Sequence, residues 1–161
     1  VEPMIGCIGV APADGESSTL MPAYPWGGNM DLRELEPGTT LYLPVQASGA
    51  LLAMGDLHAA MGAAEPTWVS LEASGQATLR IGLEKGLSIP FPRVRLEGAT
   101  ACLGLGETLE KAQQAALDHA FDLLLAEGLD AFDAYTFASA RLAMRFGGPA
   151  SPIVLAVVPD R

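Results

Sequence analysis

The hydrophobic period of this chain changes once, near Thr108, and that change limits what it can fold into. Before it, apolar residues come in short runs or strict alternation bounded by Gly, Pro, Asn and Asp, the pattern of strands and turns. Residues 4 to 12 read as a buried strand, and the Gly-, Ser- and Pro-rich stretch 13 to 28 as a long loop. Further strands are expected over 39 to 45, 50 to 54 and 68 to 71. Ala77, Leu79, Ile81 and Leu83 alternate with polar residues, which predicts a half-buried antiparallel strand over 76 to 83. Pro90 and Pro92 make 87 to 96 an edge or crossing segment.

After the change the spacing is helical. Thr108 is placed to cap a helix to about Glu127, with Leu109, Ala112, Ala116, Ala120, Leu123 and Leu124 in one stripe and Gly128 as its stop. Asp130 opens a second helix that the pattern carries to Gly147-Gly148-Pro149, and residues 153 to 158 return as a buried strand. The fold class is therefore α+β, mainly β. Strands and loops fill 1–100, a helix pair 107–146 and a last strand 153–158, within one domain of 161 residues or the C-terminal half of a larger one.

Charge excludes some partners. Nineteen acidic against nine basic residues give a net charge of −10, so the chain has no basic surface for nucleic acid or an anionic membrane. No apolar run approaches the roughly 20 residues of a membrane-spanning helix. Cys7 and Cys102 have neither metal-ligand spacing nor a disulfide framework, and read as buried reduced thiols. With no signal-peptide pattern visible, a cytoplasmic protein is expected.

Two glycine-bounded polar knots stand out. Asp56 and His58 follow Gly55 two residues apart, so an extended backbone turns both to one face, whereas a helix would separate them. Such a pair serves as metal ligands or as an oriented acid/base pair; equally, Asp56 caps a turn and His58 packs structurally. Asn29 and Asp31, after Gly27-Gly28, have the same spacing, and either bind a ligand or bond their own turn. Cys7 lacks a basic neighbour that would make it a nucleophile, and His119 reads as a packed or surface helix residue.

The segments MIGCIGVAP (4 to 12), GGNMD (27 to 31), GTTLYLPV (38 to 45) and GALLAMGDLHAAMG (49 to 62) occur in that order. Together they resemble the acetamidase/formamidase family, whose members hydrolyse short amides to a carboxylate and ammonia. The resemblance implies β-sandwich-like sheets with a C-terminal helix pair, and an amidohydrolase acting on a small aliphatic amide. It further implies catalytic roles for Asp56, His58 and Glu65, substrate contacts from Asn29 and Asp31, and a divalent metal, zinc first, on Asp31, Asp56 and His58. It covers only the C-terminal half of a usual member, so a homo-oligomer or a second chain supplying the missing N-terminal half is expected. Where the family reads Gly-Asp-Gly-Glu, this chain reads Gly62-Ala63-Ala64-Glu65. That departure sets up the alternative: a non-catalytic binding or interaction module on the same scaffold.

Overall fold

Residues 1–18 and 21–161 are described by a computed structural model, in which two antiparallel five-stranded sheets face each other. The first runs β2 (Ala23–Tyr24), β3 (Gly27–Asn29), β1 (Met4–Gly9), β5 (Ala53–Ala60) and β6 (Leu71–Glu72). The second runs β4 (Thr40–Tyr42), β7 (Arg93–Leu96), β8 (Ala99–Leu105), β10 (Ile153–Pro159) and β9 (Ala143–Phe146). Helices α1 (Leu109–Ala126) and α2 (Ala131–Arg141) complete the elements, giving the mainly-β α+β class.

Burial explains the layering. Leu155 and Val157 of β10 meet Leu103 of β8, Ile8 of β1 and the post-β3 residues Met30 and Leu32 between the sheets. The alternate residues Val154, Ala156 and Val158 meet Ala112, Ala116, Ala120 and Leu124 of α1 on the opposite face. A strand covered on both sides has no polar face to expose, which is why β10 is an unbroken apolar run. Thr108 and Asp130 cap the two helices by accepting from the backbone N–H of Lys111 and Asp133. No helix among the described residues is long and apolar enough to cross a membrane.

Several elements differ from the sequence pattern. The stretch expected as a loop over 13–28 holds β2 and the start of β3, and the strand expected over 68–71 shrinks to β6, because Trp68 sits at φ 63° in a turn. The strand expected over 50–54 starts only at Ala53 and runs through Asp56 and His58, because β1 offers a ladder there (Ile5 opposite Leu57, Cys7 opposite Gly55). The helix expected to reach 146 ends at Arg141. Leu142 is extended, and 143–146 forms edge strand β9 on β10, where Arg145 reaches the buried Glu34 carboxylate at 2.9 Å. A long-range ladder and a buried charge outweigh local helix propensity there. Strand β8 escapes the period because it is small and glycine-bearing (ATACLGL). Residues 76–83 form no strand and their apolar side is exposed.

Close packing of α1 depends on Gly104. A Cβ there would run into the Ala112 carbonyl and the Ala116 amide of the helix backbone. Gly104→Val is expected to destabilise the fold by about 1–3 kcal/mol or more, read from urea unfolding.

His119 is packed against the same strand. Its Nδ1–H donates to the Leu103 carbonyl at 2.9 Å while Nε2 accepts from Arg93 Nε at 3.3 Å. Burial, and then the Arg93 charge, hold this imidazole below its ordinary 6.5, against the opposing pull of the Leu103 carbonyl. The unfolded chain takes a proton on His119 more readily than the folded one. The contribution is therefore complete above about pH 6.5 and is lost as pH falls below it. Between about pH 7.5 and 5, wild type should lose more stability than His119→Gln, measured as the fall in urea midpoint.

Candidate active site

One glycine makes the site possible. In the β1–β5 register Gly6 lies between Ile5 and Cys7, opposite Asp56. A Cβ at Gly6 would stand 2.6 Å from Asp56 Oδ2, 2.7 Å from Asp31 Oδ1 and 3.0 Å from His58 Cε1. The missing side chain is thus the space in which two carboxylates and an imidazole converge. The Gly6 carbonyl also accepts from the backbone N–H groups of Met30 and Asp31, tying the segment after β3 to β1. Gly148 closes in from the other side, where a Cβ would collide with the Asp31 side chain.

The acids are held in a costly backbone conformation. Asp31, Asp56 and Glu65 have φ of 46°, 61° and 41°, the left-handed region that non-glycine residues avoid. Such strain persists where surrounding structure over-determines it, and it concentrates at functional sites. Ala64, which replaces the family's second glycine, has φ 61° as well, so the backbone there keeps a shape that suits glycine. Ala63, which replaces the family's aspartate, is exposed and lines an open groove of about 610 Å³ with Glu34 and Arg145. It does not belong to the buried group.

That buried group is Asp31, His58 and Glu65, whose ligating atoms lie within 4.8 Å of one another and could hold a metal ion. Asp31 Oδ1 and His58 Nδ1 are buried and have no hydrogen-bond partner. Buried polar atoms left unsatisfied are rare and call for a missing partner. Burial, followed by the Glu65 and Asp56 carboxylates, pushes the Asp31 carboxyl up from 3.8 to about 7, with His58 offsetting part of it. The pocket therefore carries more negative charge than its own residues balance. Lone pairs without donors, surplus negative charge and oxygen and nitrogen donors together fit a divalent cation.

His58 is oriented from its other nitrogen. Its Nε2 sits 3.3 Å from Asp56 Oδ1 and 3.5 Å from Glu72 Oε1. Ionised carboxylates only accept, so the proton of the neutral ring belongs on Nε2 and Nδ1 keeps its lone pair. A carboxylate behind an imidazole is the usual way a ligating histidine is oriented. Asp56 therefore groups with His58 and Glu72, while Glu65 stands beside Asp31, with Oε1 accepting from Ser70 Oγ at 2.7 Å.

Asn29 is largely engaged. Its Nδ2 donates to the Met21 carbonyl at 3.1 Å and its Oδ1 accepts from Cys7 Sγ at 3.1 Å. Burial and then the Asp56 carboxylate push the Cys7 thiol up to about 12, so it serves as a donor and not a nucleophile. Neither cysteine forms a disulfide. Sequence reasoning missed Glu72 and Gly6. The first lies on a two-residue strand without period, and the second makes its contribution by having no side chain.

The acetamidase/formamidase family model matches residues 9–150. The chain belongs to this family. The formamidase of Methylophilus methylotrophus is 35% identical over 74 residues, 45% of this chain and 18% of that protein. An acetamidase from Yersinia enterocolitica superimposes with a TM-score of 0.92 at 31% identity, over 98% of this chain and 48% of its own. An acetamidase from Bacillus halodurans gives 0.91 at 33% identity, over 99% and 55%. The chain thus spans about half the length of these family members.

Gly6→Ala tests the convergence directly. A methyl group fits a strand but not this one, so the variant should keep its far-UV circular dichroism. It should lose at least about tenfold in zinc or manganese affinity by calorimetric titration.

Proposed function

We propose that this chain carries the carboxylate–histidine wall of an amidohydrolase that converts a small aliphatic amide to a carboxylate and ammonia. The observation that carries the reading is the buried Asp31–His58–Glu65 group with two unpartnered ligating atoms, in a chain of this family. Asp31, His58 and Glu65 would hold a divalent ion, zinc by preference. When bound, the ion would polarise the amide carbonyl and acidify water, which an unreactive amide requires.

The chain's own residues supply the rest. Asp56 fixes the tautomer of His58, and Glu72 reinforces it. The side chain of Asp56 is 36% exposed, so this carboxylate can face the attacking water, take its proton and pass that proton to the departing amine. Asn29 positions Cys7 and the β3 end; direct contact with the amide falls to Asp31 or to the ion. The alternative of a non-catalytic module gains nothing from Ala63, because that position lies outside the buried group. The acidic composition and two unbridged thiols suit a reducing cytoplasm.

The test is ammonia release from formamide and acetamide by the protein in its native assembly, with zinc supplied. Asp56→Asn should lower kcat/KM by about 10–100-fold, and Asp31→Asn or His58→Ala by more. No ammonia from either amide, or an unimpaired Asp31→Asn, would overturn the reading.

A further inference from the structure

A chain of polar contacts crosses the first sheet to the buried pocket, and a cysteine is its joint. The Met21 carbonyl accepts from Asn29 Nδ2, which turns Asn29 Oδ1 toward Cys7 Sγ at 3.1 Å. Cys7 Sγ also stands 3.5 Å from Asp56 Oδ2, within reach of a sulfur donor. The other oxygen of that carboxylate, Oδ1, faces His58 Nε2 at 3.3 Å. Strand pairing lays out this path. Cys7 of β1 is registered with Asn29 of β3 on one side and with Gly55 of β5 on the other, and Asp56 follows Gly55. Asp56 needs such a hold, because its φ of 61° takes it out of regular strand conformation and its partly exposed side chain is not fixed by packing.

We propose that Cys7 is a positioning residue, whose thiol, anchored by Asn29, holds the Asp56 carboxylate behind His58 so that the ring keeps its proton on Nε2 and its lone pair on Nδ1. The thiol hydrogen is shared between two oxygens, and the carboxylate is the stronger acceptor. Asn29, itself tied to Met21, keeps the sulfur from turning away. Asp56 is thereby gripped at both oxygens, one by Cys7 and one by His58. Cys7 belongs to neither set of ligating atoms, so it acts on a bound ion only through Asp56 and His58. The consequence for turnover rests on the amidase reading; the hold on the ring does not.

The test combines nitrogen NMR of the two imidazoles in the metal-free protein, with His119 identified through His119→Gln, and calorimetric zinc titration. Wild type should show His58 protonated on Nε2. Cys7→Ala should raise the share of the Nδ1–H tautomer at least about threefold and weaken zinc binding at least about threefold. In turnover, kcat should fall by a similar factor with KM unchanged. Cys7→Val fills the space without donating and should behave like Cys7→Ala. Cys7→Ser keeps a donor and should return tautomer and zinc affinity to within about twofold of wild type. An unchanged tautomer in a folded Cys7→Ala or Cys7→Val, or a Cys7→Ser no better than Cys7→Ala, would overturn the proposal. A wild type that releases no ammonia while tautomer and zinc affinity still follow Cys7 sinks the amidase reading and supports the role of the thiol.

Discussion

The β1–β5 ladder is the contact on which the site depends. Because side chains alternate, a slip of one residue would turn Asp56 and His58 to the opposite face and bring a side chain where Gly6 now leaves room. The register is held from both ends by hydrophobic pattern. Ile8 is buried in the inter-sheet core and Met4, opposite His58, is buried as well. Packing of ordinary apolar residues thus positions a polar constellation that could not organise itself.

That constellation is unfavourable taken alone. Three acids in left-handed backbone, a buried carboxyl raised to about 7 and two buried polar atoms without hydrogen-bond partners all cost stability in the isolated chain. The rest of the fold offsets them with the second sheet, where β8 and β10 are buried on both faces and α1 packs directly on Gly104. The division is physical: one sheet supplies stability, the other holds strain and charge.

The parts legible in the sequence were those with a local cause. Helix α1 and its Thr108 cap, the start of α2 at Asp130, the apolar strand β10 and the shared face of Asp56 and His58 each follow from a period or a cap. The parts that escaped have distant causes. Strand β9 exists because Val154 to Val157 and buried Glu34 need partners, which no window around Ala143–Phe146 contains. Strand β8 lacks a signature because Gly104 and Cys102 are sized to fit α1. The grouping of Glu65 with Asp31 depends on a turn whose positive φ at Ala64 is invisible in an alanine.

The exposed stretch 76–83 bears on how the chain behaves among copies of itself. Thr78-Leu79-Arg80-Ile81-Gly82-Leu83 is a short alternating segment of the sort that stacks into cross-β aggregates when exposed. Arg80 interrupts it, Glu84 and Lys85 follow it, and Gly82 weakens its strand propensity. These residues act as gatekeepers on an exposed apolar surface. The charges in and beside the segment therefore oppose the stacking of one chain on another.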